Sequence, residues 1–590
     1  MRRGLVLLAL VAACDDAVIN QQDEAGFASS SILISADESW IYLASSDDDH
    51  IVRLSADTLT VEANWPLAGA PVGLAFAGDA LAVALRQGAD AVLLDPATGA
   101  ITRVAVPCGG LSAVVATADA AFFACPNDDR VVEIALPEAR LRHVLEAPGR
   151  PTALALSAEA LAVTANGRLR LVDRKALATL PTGPQPQQVR WRDDRALETT
   201  AGHAATRVDA VTPTAQGFIT AFQRVEHDAD RDRPPEQGGY GSVIDGQPRI
   251  EPRLDGCGPT YARFDGGLRV FSGPHALAYS PATGLLWVVH QFTDNIAVLD
   301  CAAEGGPALR AVFRVGRGPR GIALSADGRH AFVDVAFDAA VARLDLPDAR
   351  ADRPLEAGLT RTRPLGPSAL DLTARRGRQL FHDAVNTHLT PSGIVTCATC
   401  HPDGGEDGLR WFLHLPDVPR KLRRTPPAWG ARRRLAPFHW DGEFADVESL
   451  TLATVRALME GDGLLIDAAA IAAWLDVVPP PPGRPAADAA DAAVIAEGEA
   501  AFAAAGCAEC HPAPDFSDAK AHALGALSAD PDGQLDAVDT PALRGVRARP
   551  PFWHDGRAAD LAMAIDAHGL DTAPADPATR AALVRYLETL

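Results

Sequence analysis

Two stretches of the chain superimpose without a gap. Gly273-Pro-His-Ala-Leu-Ala-Tyr-Ser, running on to Val298-Leu-Asp300, matches Gly318-Pro-Arg-Gly-Ile-Ala-Leu-Ser, running on to Arg343-Leu-Asp345. Ile32-Leu-Ile-Ser-Ala-Asp37 echoes Ile322-Ala-Leu-Ser-Ala-Asp327, and further starts fall near Val72, Leu111, Thr152 and, more faintly, Val208. Each unit reads as a short alternating strand, a turn at Asp or Gly, a second apolar strand, a polar turn and a third strand ending near Asp. A period of about 40 residues made only of strands is the pattern of propeller blades. Counting starts gives about seven blades over residues 30–348, with an array of sandwiches as the competing architecture. Between Arg224 and Gly267 the pattern dissolves into charged, Pro- and Gly-rich sequence, which reads as a long loop inserted in one blade. His50, His275, His290 and His330 are scattered through the repeats without catalytic spacing and read as structural histidines.

The chemistry lies elsewhere. Cys397-Ala-Thr-Cys-His401 has the spacing needed for covalent haem attachment: two thiols to add to the porphyrin vinyl groups and an adjacent imidazole for the iron. Redox dithiols and zinc sites also use Cys-x-x-Cys, but this pentapeptide recurs as Cys507-Ala-Glu-Cys-His511, and the residues after it recur in the same register. Thr425-Pro426, Gly430, Arg432, Arg434, Pro437-Phe438 and Trp440-Asp441-Gly442 answer to Thr540-Pro541, Gly545, Arg547, Arg549, Pro551-Phe552 and His554-Asp555-Gly556. A zinc ribbon needs its Cys pairs roughly 15–20 residues apart; here they are far more distant. The expectation is two c-type haems, bound through Cys397, Cys400, Cys507 and Cys510, with His401 and His511 as proximal ligands.

Over about residues 370–590 these motifs resemble the bacterial dihaem cytochrome c peroxidase and MauG-like family. Its first haem domain carries a WDG and its second an HDG. Gly377-Arg-Gln-Leu-Phe and Thr540-Pro-Ala-Leu-Arg544 also resemble family sequence. The repeats are similar, at fold level, to YVTN-type propellers. The fold expected is therefore multidomain, an all-β propeller followed by two mainly α-helical cytochrome c domains at 369–478 and 484–590. A polar linker at 349–368 precedes them, and Val478-Pro-Pro-Pro-Pro-Gly483 forms a stiff break between them. Helical patterning covers 369–381, 445–459, 467–475, 488–505, 558–568 and 577–590.

The resemblance also bears on what occupies the other face of each iron. An electron carrier fills both axial positions, whereas a peroxidase needs one that opens. His568 lies where the family's distal ligand to its electron-storing haem falls, a position often held by methionine; Met563 is the alternative. For the first haem, Glu460 stands near the family's catalytic acid, a general acid–base on peroxide. Met459 stands where related members place a methionine ligand, and His414 falls in the loop that holds a displaceable histidine. The family's glutamine partway along this helix is absent, with Ser449 and Leu450 nearby. Trp440 matches the tryptophan placed between the haems as an electron relay, its other reading being a buried core aromatic. Two function classes are open: a peroxidase-like oxidoreductase acting on hydrogen peroxide or another substrate, or an electron-transfer or sensory cytochrome with the propeller as docking module. A dihaem oxygenase acting on a large substrate is a weaker third.

Met-Arg-Arg, an apolar run to Ala13 and then Cys14 read as a secretory signal over 1–14. Val11-Ala-Ala-Cys14 is similar to a bacterial lipobox, so Cys14 is the expected lipidation site, followed by a polar tether over 15–29. The apolar run is about half the roughly 20 residues a spanning helix needs. The chain is thus expected in the cell envelope, periplasmic or surface-exposed, on a lipid anchor. A formal charge of −22 excludes nucleic acid as a partner, since phosphate binding needs a basic face, and leaves room for a redox partner such as a small cytochrome or cupredoxin. Of nine cysteines, Cys108, Cys125, Cys257 and Cys301 remain after the lipid and haem sites. In an exported chain they suggest two disulfides, with proximity favouring Cys108–Cys125 and Cys257–Cys301 among three pairings.

Overall fold

The computed structural model describes residues 27–200, 203–226, 243–244, 247–248, 250–257, 271–304, 306–346, 355–357, 361–366, 368–413, 421–430, 435–524, 535–569 and 574–590. Cys14, the signal and tether before residue 27, His414, Arg432 and Arg434 lie outside the described residues.

Seven antiparallel sheets follow one another along the chain, built on residues 32–66, 71–105, 113–146, 151–173, 203–255, 274–314 and 319–345. They form a seven-bladed propeller. The middle strands are apolar without alternation: Ala80–Leu85 and Ala120–Cys125 are almost wholly buried, because a blade has neighbours on both faces. Outer strands such as Val61–Pro66 are mostly exposed.

A repeated aspartate joins blade to blade. Asp49, Asp129 and Asp294 each sit at positive φ in the turn between second and third strands. The Asp49 carboxylate accepts from the amides of Gly69 (3.2 Å) and Ala70 (2.7 Å), and that of Asp129 from Gly149 (3.1 Å) and Arg150 (2.8 Å). Asp294 accepts from Gly318 at 2.8 Å. Each ties the start of the following blade to the turn of the one before. The ring closes between blades 7 and 1 through side chains: Arg320 donates to Asp334 (2.8 Å), to the Ser46 hydroxyl (2.7 Å) and to the Ala44 carbonyl (2.8 Å). Cys108–Cys125 staples blade 3, and Cys257–Cys301 joins blade 5 to blade 6.

The axis of the ring is filled by the chain itself. Phe27 and Ala28 pair antiparallel with Leu156 and Ala155 of blade 4. The Ser29 hydroxyl accepts from the Val114 amide of blade 3 (3.2 Å), the Ser30 carbonyl from the Leu74 amide of blade 2 (2.7 Å), and the Ser30 hydroxyl donates to Ile322 of blade 7 (3.3 Å).

Beyond blade 7 the chain returns to the ring. Leu355–Ala357 pairs parallel with blade 6, and Arg361–Pro364 forms the outer strand of blade 7. Part of the segment read as a polar linker is therefore strand, since an unpaired blade edge offers a row of amides and carbonyls to the next piece of chain.

The remainder carries six longer helices: α1 (Leu372–Phe381), α2 (Val447–Ala457), α3 (Ala468–Val477), α4 (Ala489–Ala504), α5 (Leu561–Asp566) and α6 (Pro577–Leu587). Every one starts on an aspartate, Asp371, Asp446, Asp467, Asp488, Asp560 and Asp576 respectively, whose carboxylate accepts the amide three residues on. Long irregular segments separate them, so helix is a smaller share than the sequence suggests. The two halves repeat one packing scheme. Gly377 of α1 lies against the Ala470 carbonyl of α3, and Gly498 of α4 against the Ala582 carbonyl of α6; an added Cβ would sit 1.8 and 2.0 Å from those oxygens. Four residues on, Phe381 meets Trp474 (4.6 Å between centroids) and Phe502 meets Tyr586 (5.5 Å).

This helical part covers the propeller face bearing the turns between second and third strands. Asp47 pairs with Arg378, Gln87 donates to the Pro480 carbonyl (3.3 Å), Arg547 pairs with Asp128, and Phe292 accepts from the Ala384 amide (3.0 Å). The axial strand runs antiparallel to the first strand of blade 4. Phe27 therefore enters the ring from the opposite face.

Candidate functional site

Cys397–Cys400 forms a single helical turn preceded by Thr396, whose amide donates to the Thr399 hydroxyl (3.0 Å). Cys507–Glu509 forms the matching turn in the second half. In both, the histidine amide closes the turn on the first cysteine carbonyl at 2.9 Å. Both rings are fixed the same way: His401 Nδ1 donates to the Gly405 carbonyl (3.1 Å) and His511 Nδ1 to the Phe516 carbonyl (2.9 Å). That bond selects the tautomer whose lone pair is on Nε2, the atom an iron would take. Burial pushes His511 down to about 4, so its imidazole is neutral.

Each motif opens onto a cavity. The second borders one of about 850 Å³, lined by Cys507, Cys510, His511, Trp553 and His568. The first borders one of about 220 Å³, lined by Cys397, Cys400, His401, Trp411 and Met459. Ligand pockets span roughly 300–1,000 Å³, so the larger takes a porphyrin-sized group as it stands, and the smaller needs its side chains to give.

The donor set separates the alternatives. All four motif cysteines are free thiols, whereas the other four described cysteines are joined in disulfides. Burial pushes the Cys397 thiol up to about 12 and Cys400 well above its ordinary value, so both are neutral thiols. The cysteines are not gathered with their histidines for a four-coordinate ion. Among the described residues, His439, Asp441 and Glu443 alone bring three metal-ligating atoms within 4.8 Å of one another. The residues at both motifs fit a covalently attached haem and do not fit structural zinc.

The cavities share a wall made of Arg424, Pro426, Pro427, His439 and Trp440. The Trp440 indole N–H donates to the Arg424 carbonyl (2.8 Å), and the Arg424 amide donates to the carbonyl of buried His554 (2.7 Å). The Trp440 and His554 rings, counterparts in the two halves, lie 6.2 Å apart. Beneath them Arg424 forms a buried ion pair with Glu406 and donates to the Arg549 carbonyl at 2.5 Å. Burial pushes Glu406 up to about 7 against the opposing pull of Arg424, Arg549 and Arg150, the last from the propeller.

Of the residues read for the open face of each iron, the structure separates neighbours. Met459 is 4% exposed and lines the smaller cavity, packed with Trp411, Val455 and Leu389 and with Val225 and Ile250 of blade 5. Glu460 is not on that wall: it takes a positive φ of 62° at the end of α2, which turns its side chain out of register with Met459. Leu450 lines the wall, and the Ser449 amide donates to the Asp446 carboxylate that caps α2. In the second half, Met563 is 46% exposed and off the wall: it lies five residues before His568, an offset that puts the two on different sides of this stretch. His568 is on the wall: its Nδ1 donates to the Ala564 carbonyl (2.8 Å), which also accepts from the Trp553 indole (3.3 Å), and the two rings are 5.0 Å apart. Sequence reasoning did not single out Arg424, Glu406, His439, Glu443 or Trp553; the place of Trp553 and His439, one residue before HDG and WDG, was the available signal.

No family model matches the chain. Methylamine utilization protein MauG of Methylorubrum extorquens is 28% identical over 274 residues, covering 37% of this chain and 73% of that protein, so part of the chain has a distant MauG homologue. Among solved structures, Kuenenia stuttgartiensis hydrazine synthase aligns with a TM-score of 0.44 at 14% identity, covering 57% of this chain and all of that one. A streptogramin B lyase aligns at 0.36 and 12% identity, covering 53% of this chain and 91% of the lyase.

Proposed function

We propose that this chain is a dihaem c-type oxidoreductase of the peroxidase-like class, exported and lipid-anchored through Cys14. The observation that carries the reading is the duplicated Cys-x-x-Cys-His turn, each copy opening on its own cavity, with Trp440 in the wall between them. A haem at each site supplies an iron that cycles between ferric and ferrous states. The chain's own residues have separate tasks. Cys397 and Cys400, and Cys507 and Cys510, hold the porphyrins. The Gly405 and Phe516 carbonyls orient His401 and His511 with Nε2 toward the cavities. Met459 and His568 occupy the facing walls, and Trp440 shortens the path between the sites. With haems bound, Met459 and His568 would be the side chains available to them from the facing walls, and a thioether there would raise the potential relative to an imidazole. Access of a small substrate to the first cavity would require Met459 to move aside.

That last condition favours a second reading, electron transfer without peroxide chemistry. Met459 is buried and braced by blade 5, so releasing it disturbs packed side chains. Under either reading the helical part covers one face of the propeller, and the opposite face is left for a redox partner. Among the described residues no helix is long and apolar enough to cross a membrane.

The test is Cys397→Ala with Cys400→Ala. Intact mass of the denatured protein is expected to show two haems in wild type and one in the variant. Two haems still attached in the variant refute the assignment.

A further inference from the structure

We propose that the far face of the propeller, which bears the turns between first and second strands, is turned toward a lipid bilayer, with the helical part held on the outer side of the ring. The proposal rests on the reading of Cys14 as a lipidation site and adds an orientation to it. Two features of the fold carry it. Phe27 and Ala28 pair antiparallel with Leu156 and Ala155, at the end of the first strand of blade 4, so the chain enters the ring at its far face. The helical part covers the other face, where Arg378 pairs with Asp47, Arg547 with Asp128, and the Ala384 amide donates to the Phe292 carbonyl.

Phe27 follows Cys14 by thirteen residues, and a chain of that length reaches at most about 45 Å. To bring the helical part against the bilayer, this tether would have to run round the rim of the ring. Strands within a sheet lie about 4.8 Å apart, so a four-stranded blade extends roughly 15–20 Å outward from the axis. Strands of six residues, such as Pro151–Leu156, make the ring about 20 Å deep, and a layer of helix adds about 10 Å more. The route round the rim is therefore roughly 45–50 Å, the whole reach of the tether or more. The far face requires none of that length.

Charge sets how closely that face approaches the lipid. Glu38, Asp79, Asp119, Glu159 and Asp327 are exposed in its turns, on blades 1, 2, 3, 4 and 7. An anionic bilayer repels such a face over about a Debye length, roughly 8 Å at physiological salt. The reach of the tether is several times longer, so the face stands off the lipid without having to turn away. A redox partner using this face would enter the gap between ring and bilayer.

The experiment uses full-length lipidated protein on phosphatidylcholine vesicles that carry an energy-acceptor lipid in the outer leaflet. A donor dye is attached to one introduced cysteine, either Glu159→Cys in the far-face turn of blade 4 or Leu465→Cys in the helical part. Both parent side chains are more than four-fifths exposed, so neither change disturbs packing. Donor lifetimes with and without acceptor lipid separate transfer to the bilayer from quenching within the protein. Transfer is expected to be at least threefold faster from position 159, and equal or faster transfer from position 465 overturns the orientation. Flotation with the vesicles is scored separately: wild type should float and Cys14→Ser should not. Wild type that stays behind, or Cys14→Ser that floats equally, removes the anchor and the proposal with it. A floating wild type with the reverse ranking of transfer rates removes the orientation alone.

Discussion

Substituting Gly498 by alanine puts the crossing of α4 and α6 to a test of sign. At an exposed helix position this change is stabilising by about 1 kcal/mol, because glycine surrenders more backbone entropy. At Gly498 the new Cβ would lie 2.0 Å from the Ala582 carbonyl oxygen, 2.6 Å from its carbon and 2.8 Å from the Tyr586 Cβ. Ordinary contact requires the helices to separate by roughly 1–1.5 Å, and a gap of that size forfeits a quarter to a half of each dispersion well across it. The contacts at stake are those of Phe502 and Tyr586 and of buried Ala501 and Leu583. Overpacking of this kind costs about 1–3 kcal/mol or more, and here the obstacle is backbone, which cannot rotate aside. The expected net effect is a loss of about 2 kcal/mol, a fall in melting temperature of roughly 8–16 °C for a unit of about 100 residues. Thermal melts at 222 nm read this, since helix in the described propeller is limited to two short turns, Arg174–Leu177 and Ala336–Asp338. Ala500→Gly, on the exposed side of the same helix, calibrates the propensity effect at about 1 kcal/mol. A higher melting temperature for Gly498→Ala would refute the close crossing.

Glu460→Gln is expected to leave both haem spectra and any peroxide turnover within twofold of wild type, because Glu460 is off the cavity wall; a tenfold loss of turnover restores it as acid–base catalyst. Burial raises Asp294 to about 7, so the folded state holds a proton that the unfolded chain releases near pH 4, and stability falls as pH rises from about 4 to 7. Asp294→Asn keeps an acceptor for the Gly318 amide without the charge, so its urea midpoint should exceed wild type at pH 8 and match it at pH 4; a difference independent of pH counts against this. Cys14→Ser should move the protein from the detergent phase to the soluble fraction, because acyl chains would supply the membrane affinity; unchanged partitioning removes the anchor.

Much was readable before any coordinates. The propeller follows from a strand-only period, because a blade cannot bury its two faces alone and must recruit neighbours. The helices were visible as apolar periodicity, although the aspartates that cap them were found only in the structure. The two Cys-x-x-Cys-His motifs are equally local, five residues each. What escaped the sequence was non-local. That Arg361–Pro364 would close a blade depended on which edge was left unpaired. That Ser29 and Ser30 would fill the axis depended on how seven inner strands converge.

The chain by itself therefore determined the repeat architecture and the two attachment turns, because period and spacing are written within a few residues. Only the tertiary structure decided which side chain lines each cavity. Met459 and Glu460 are neighbours in sequence, as Met563 and His568 nearly are, and composition gives no reason to prefer one. The choice was made by a positive φ after Met459, by the burial of Met459 in a cluster that includes Val225 and Ile250 of blade 5, and by the five-residue offset that leaves Met563 exposed and His568 on the wall.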